Sequence, residues 1–177
     1  MPMIKFYIEP DFSVKPPERE FGNAGIDFYI PNYTEAFEKA FNEKNDPENA
    51  MLEERDVGYF ITIPAHGRAN IPSGVRSRIS HNVALEAQNK SGVATKSGLV
   101  YGAATVDANY CGIIHISVIN TTANTVTLPL GMKVMQFIPR IIDTSDVEIC
   151  TDISLDDFYG DFEFTNRGEG AFGSTGI

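Results

Sequence analysis

Short runs of β-branched and aromatic residues recur along most of the chain, separated by glycine and proline. Residues 4–8, 59–63, 113–119, 125–128 and 134–138 are such runs, and each predicts a strand. Turn signals lie between them at Pro64, Pro72-Ser73-Gly74, Gly102, Asn120 and Pro129-Leu130-Gly131. Many short strands without alternating helices predict an all-β antiparallel sandwich, jelly roll or barrel. One segment departs from this pattern. Within 34–44, Ala36, Phe37, Ala40 and Phe41 share a helical face, with Glu35, Glu38, Lys39 and Glu43 elsewhere. Asp46 followed by Pro47 then reads as an N-cap and first helical position, predicting a second short helix over 48–54. Segment 32–56 is therefore expected to be a helical insert on the outside of the β domain, tolerant of excision. A docking surface for a protein partner is the sharper reading of the same residues.

Composition narrows the class. The chain has 177 residues, 42% hydrophobic and 21% charged, which excludes a disordered chain and predicts a single domain over 1–177. No apolar run approaches the ~18 residues of a membrane span, and residues 1–11 show no basic-then-apolar leader. Two cysteines, Cys111 and Cys150, supply neither a disulfide framework nor a metal-ligand spacing. A cytoplasmic protein is expected (in the host cytoplasm, if the source is viral).

The net charge of −10 is uneven. Segments 32–56 and 141–166 carry −5 and −8, which together exceed the total and leave the remainder at +3. An acidic chain is a poor nucleic-acid binder, because nonspecific affinity comes from neutralising many phosphates. A small anion remains compatible with a locally basic or backbone-lined site.

Four groups of residues carry candidate chemistry. The C-terminal stretch 167–177 has four glycines, Arg167, Phe172, Ser174 and Thr175. Glycines such as Gly173 let backbone N–H groups wrap an anion, and hydroxyls and a guanidinium add donors. A solvated tail and a phosphate clamp both fit, and Phe172 favours something flat to stack on. Asp107 and Tyr110 lie three residues apart in a turn of small polar residues, suited to a general base and an aromatic wall, or to a plain Asx turn. Lys90-Ser91-Gly92 is a glycine turn with phosphate-binding chemistry. Asp27, in Ala24-Gly25-Ile26-Asp27-Phe28, is a strand-edge acid near a metal or a surface residue.

The order of these pieces is more specific than any one of them. Ala24–Phe28, then Lys90–Ala94, Val106–Gly112, Gly131–Ile138 and Arg167–Gly176 resemble the five ordered motifs of the trimeric dUTPases. The insert between the first two motifs suggests a phage-type member. The resemblance implies a jelly-roll subunit, a homotrimer with shared active sites, and Mg²⁺-assisted hydrolysis of dUTP to dUMP and pyrophosphate. That reaction keeps uracil out of DNA and supplies dUMP.

By the same resemblance, Asp107 is the base that activates water, and Tyr110 packs under the deoxyribose and excludes a 2′-hydroxyl. Backbone groups of the hairpin between Leu99 and Tyr110 read the uracil edge. Lys90, Ser91 and Gly92 with Gln136 contact phosphate, and Asp27 holds water in the magnesium shell. In the arm 167–177, Arg167 reaches the γ-phosphate, Phe172 stacks on uracil, and Gly173, Ser174 and Thr175 bind phosphate oxygens. The chain departs from the family pattern at Lys90 and Lys133, where arginine is usual, and at Cys111 and Ile113, where the third motif usually has arginine and glutamate. Two alternatives accompany this reading: a dCTP deaminase-like enzyme, and a dUTP-sensing protein that docks a regulatory partner.

Overall fold

The apolar runs become strands, and the more polar stretches between them supply others. The computed structural model describes residues 4–151 and 153–160. In chain order these form β1 (Ile4–Ile8), β2 (Ile26–Tyr29), α1 (Glu35–Asn42), β3 (Met51–Arg55), β4 (Gly58–Ile63), β5 (Arg68–Pro72), β6 (Val75–Ile79) and β7 (Val83–Asn89). There follow α2 (Ser91–Ser97), β8 (Leu99–Tyr101), β9 (Thr105–Val106), β10 (His115–Asn120), β11 (Val126–Pro129), β12 (Lys133–Ile141) and α3 (Leu155–Tyr159). The chain divides into two compact units, 1–144 and 145–177.

Within the first unit the strands pair antiparallel in four sheets: β1-β6, β5-β10-β8, β11-β4-β3 and β2-β12-β7-β9. β12 is paired on both sides. It matches β7 from Met135↔Asn89 to Ile141↔Val83, and β2 from Lys133↔Tyr29 to Phe137↔Ile26. Phe28 and Phe137, from neighbouring strands of that sheet, are fully buried with ring centroids 4.8 Å apart. In the second unit, Ser154 caps α3 by accepting the Asp157 N–H at 3.0 Å.

The insert is built differently from its expectation in two respects. Helix α1 forms as the periodicity predicts, with the Thr34 hydroxyl accepting the Phe37 N–H at 3.1 Å and acids in the first turn. Its apolar face, however, is part of the core: Phe37 and Phe41 are each 0% exposed, and Phe12 packs edge-on against Phe37. The second helix does not form. Asp46 opens a turn, its carbonyl accepting from the Asn49 and Ala50 N–H groups at 2.9 and 3.0 Å. The chain then enters β3, which pairs with β4 over Met51↔Thr62 to Arg55↔Gly58. A lone two-turn helix is marginal in water, whereas the ladder to β4 satisfies the backbone of 51–55 directly.

Excision of 32–56 therefore removes core side chains and a strand, and the excised chain is expected not to fold. Phe41→Ala should cost about 3–5 kcal/mol of stability. Urea denaturation checks this, and an unchanged midpoint would show that Phe41 is not a core residue.

Candidate active site

Strand β7 ends at Asn89 and delivers Lys90 as the N-cap residue of α2. The expected glycine turn at 90–92 is thus the start of a helix, which brings Lys96 onto the same cavity as Lys90 and Ser91. That cavity, about 470 Å³, is also lined by Gly92 and Gln136. Gln136 lies on β12 directly between Asp27 of β2 and Gln88 of β7. Its Nε2 donates to the Asn89 carbonyl at 3.0 Å. Gly25 makes this placement possible, since a Cβ there would overlap Gln136 Oε1 and come within 2.7 Å of its Cδ. The structure therefore unites Asp27, Lys90, Ser91, Gly92 and Gln136, from three separate stretches of sequence.

The charges here are interlocked. Lys90 Nζ donates to Asp27 Oδ1 at 2.5 Å, and Lys133 Nζ approaches Asp27 Oδ2 at 2.9 Å. Lys133 also donates to Glu18 at 2.8 Å, and Lys15 pairs with the other Glu18 oxygen at 2.8 Å. The Tyr29 hydroxyl donates to Glu18 and accepts from Lys15. Hydrogen bonds from Lys133, then Lys15, then Tyr29 hold the Glu18 carboxyl down to about 2, and Glu18 and Asp27 together raise the Lys133 ammonium. Lys15, Glu18 and Lys96 were not singled out in the sequence. Lys96 becomes visible only once 91–97 is recognised as a helix.

The turn carrying Asp107 and Tyr110 forms a second locus. β9 pairs with β7 through Leu85↔Val106 and Glu86↔Thr105, so Asp107 emerges beyond Leu85, at the end of β7 opposite Lys90. The Asp107 backbone carbonyl accepts the Tyr110 N–H at 3.1 Å. Its carboxylate is exposed and makes no hydrogen bond or ion pair among the described residues, in contrast to an Asx turn. Tyr110 is 41% exposed and folds over Gly112, where a Cβ would lie 2.6 Å from the ring's Cζ. Its hydroxyl donates to the Ile113 carbonyl at 2.9 Å. Arg76, paired with Glu9, donates to the Cys111 carbonyl at 2.6 Å and ties down the tip. Tyr110, Ala103, Thr105, His115 and Phe137 line a cavity of about 170 Å³. Arg167, Phe172, Gly173, Ser174 and Thr175 lie outside the described residues.

A cation-lined cavity beside a strand end, and a free carboxylate next to an aromatic in a separate turn, suit hydrolysis of a phosphorylated, flat substrate. The dUTPase family model matches residues 42–176. The chain belongs to the dUTPase family. It hydrolyses dUTP, as a dUTP diphosphatase. Ala24–Phe28 precedes the matched segment, so the first motif stands on its contacts with Lys90, Lys133 and Gln136.

The deoxyuridine 5′-triphosphate nucleotidohydrolase of Yarrowia lipolytica is 34% identical to this dUTPase over 66% of this chain and 69% of its own. A Staphylococcus bacteriophage 80alpha dUTPase mutant solved with dUpNHpp superposes with a TM-score of 0.70 at 16% identity, covering 99% of each chain. A mutant dUTPase from phage phi11 of S. aureus, with a structural Mg(II) ion, gives 0.62 at 16% identity over 85% of this chain and 98% of that one. These two likenesses bear on the fold, which is mostly β with a few short helices. Among the described residues no helix is long and apolar enough to cross a membrane.

The donor set fits magnesium in a particular way. Among the described residues no three His, Cys, Asp or Glu side chains gather to hold a metal ion. A single carboxylate, Asp27, sits beside the cavity through its contact with Lys90. Mg²⁺ is commonly held by one or two carboxylates, waters and substrate phosphates rather than by a protein cage, and this arrangement suits it.

Two measurements test this geometry. Gly25→Ala should displace Gln136 and raise the KM for dUTP about ten-fold with little change in melting temperature, since small misplacements at a site are costly. An unchanged KM would mean that Gln136 does not touch substrate. Because the folded Glu18 pKa lies below its unfolded value, its interactions stabilise the fold above the ordinary carboxylate range. That stability is lost as pH falls from about 4.5 toward about 2. Glu18→Gln should flatten the pH dependence of the melting temperature over that window, and an identical profile would contradict the network.

Proposed function

We propose that this dUTPase works as a homotrimer whose active sites are shared between subunits, with Asp107 as the general base. The observation that carries this reading is the separation of the two loci within one chain. Asp107 follows Val106, the partner of Leu85, while Lys90 follows Asn89 at the far end of β7. Six residue steps along the chain separate Ala84 from Lys90, about 20 Å at ~3.3 Å per step. The base has to lie within hydrogen-bond reach of the attacking water. A base and phosphate ligands so far apart meet at one triphosphate if they come from different copies of the chain.

In this reading the Asp107 carboxylate takes a proton from water as the water oxygen bonds to the α-phosphorus. The bond from the α-phosphorus to the bridging oxygen breaks, and pyrophosphate leaves from dUMP. The Asp107 carboxylate is exposed and without a hydrogen-bond partner among the described residues, which supports that role. Tyr110, held over Gly112 by the Ile113 carbonyl, forms the wall against the deoxyribose and crowds out a 2′-hydroxyl. Backbone groups of 99–110 read the uracil edge, and a site that pairs with uracil leaves polar groups unmatched against cytosine.

Lys90, Ser91, Gly92 and Gln136 hold the phosphates. Asp27 would hold water in the shell of Mg²⁺, which supplies charge neutralisation on the triphosphate. The arm 167–177 completes the site, with Arg167 on the γ-phosphate, Phe172 on uracil, and Gly173, Ser174 and Thr175 on phosphate oxygens.

Pyrophosphate release from dUTP, dCTP, dTTP and UTP, with and without magnesium, tests the activity. Asp107→Asn should retain dUTP binding and lose at least ~10²–10⁴ in turnover, and wild-type turnover would overturn the assignment of the base. Tyr110→Ala should admit UTP as a substrate. Continued exclusion of UTP would place the sugar selection elsewhere.

A further inference from the structure

In the middle of the insert, just past α1, one residue touches the supports of the catalytic turn. Asn45, just beyond α1, is held by donating to the Phe41 carbonyl at 2.7 Å. The same side chain grips the backbone of Asn70 on β5, donating to its carbonyl at 3.0 Å and accepting its N–H at 2.8 Å. β5 is an edge strand whose Asn70 is directly opposite Ser117 of β10. The Asn45 amide thus serves the free edge of β5 as one peptide group of a neighbouring strand would.

The contacts continue inward. The Ser117 hydroxyl donates to Asn70 Oδ1 at 2.8 Å, and Ser117 is buried at 7% exposure. The Ser117 backbone carbonyl accepts the Gly102 N–H at 2.9 Å. Gly102 is the residue at which the chain leaves β8 and enters the hairpin bearing Asp107 and Tyr110. The other leg of that hairpin returns through Ile113 into His115. The Ile113 carbonyl on that leg accepts the Tyr110 hydroxyl at 2.9 Å.

We propose that segment 32–56 positions the catalytic hairpin, through the chain of hydrogen bonds Asn45–Asn70–Ser117–Gly102. Asn45 and Ser117 are positioning residues: neither touches substrate, and each acts through the placement of Asp107 and Tyr110. This inference rests on the roles assigned to those two residues under Proposed function. A polar network with every member satisfied holds one geometry, and a site misplaced by about 1 Å loses up to ~10²-fold in rate.

The test is a double-mutant cycle on the full-length enzyme with Asn45→Ala, Ser117→Ala and the double variant. It is assayed well below the melting temperature of each, beside Asp107→Asn and Ile61→Val, a conservative change at a fully buried residue of β4. Expected is a fall in kcat of about ten-fold or more for either single variant, with the double variant no worse than the weaker single one, as for residues that act as a unit. Selectivity for dUTP over UTP should fall in parallel. Ile61→Val should lower the melting temperature while leaving kcat as in the wild type.

A kcat within about two-fold of wild type for folded Asn45→Ala and Ser117→Ala, or strictly additive losses, would overturn the inference. If Asn45→Ala fails to fold, Ser117→Ala decides alone, since it removes one hydroxyl and little volume. Retained turnover in Asp107→Asn would instead bring down the base assignment. An inactive Asp107→Asn with fully active positioning variants brings down this inference alone.

Discussion

The length of β7, locked between β12 and β9, is the constraint on which the rest of the site depends. Its pairing with β12 runs from Met135↔Asn89 to Ile141↔Val83 and leaves no slack for the strand to bend back on itself. One end presents Lys90 and the cavity beside Gln136, and the other end carries the partner strand from which Asp107 emerges. A register slip of one residue would turn Leu85 and Ala87, both fully buried, toward the wrong face, so the spacing is enforced by the core itself. Asp107 and the cavity beside Lys90 and Gln136 are thereby kept apart within a chain by the same interactions that make the chain fold.

Charge explains how a strongly acidic chain hosts a triphosphate. Lys90, Lys96 and Lys133 gather at one end of the four-stranded sheet although the chain is −10 overall. Asp27 and Glu18 hold two of these lysines in place, and a partner that is itself held by Lys15 and Tyr29 makes Lys133 the more firmly anchored of the two. Lysine in place of the family's usual arginine at 90 and 133 fits this arrangement. A compact ammonium can sit on a single carboxylate oxygen, whereas a planar fork favours bidentate contact with one partner.

Much of the fold was legible from residue pattern, and the failures have physical causes. The runs at 4–8, 59–63 and 134–138 became β1, β4 and β12 because β-branched and aromatic side chains dominate them. β5 and β6 carry Arg68, Asn70, Arg76 and Arg78 among their buried positions and look like loop until their partners are known. Pro47 signals a helix start, but the chain makes only a turn at 46–50 and pairing with β4 takes residues 51–55 into a strand. The face of Phe37 and Phe41 was readable, yet periodicity states only that a side is apolar and not what covers it. For the site, the ordered motifs picked out Asp27, Lys90, Ser91, Gly92 and Gln136, which the fold brings together. The links among positions 15, 18, 27, 90 and 133, and those among 45, 70, 117 and 102, are too distant in sequence to leave any local pattern.

The claim that base and phosphate ligands come from different subunits can be tested by complementation. One inactive chain carries Asp107→Asn, and another carries Lys90→Ala, Ser91→Ala and Gln136→Ala together. The two are refolded as an equimolar mixture so that subunits assort at random. A shared site leaves about a quarter of the sites with both a sound base and sound phosphate ligands, so roughly a quarter of wild-type activity should return. Verified mixed trimers with no dUTP hydrolysis would show that a single chain supplies both, and would contradict this account.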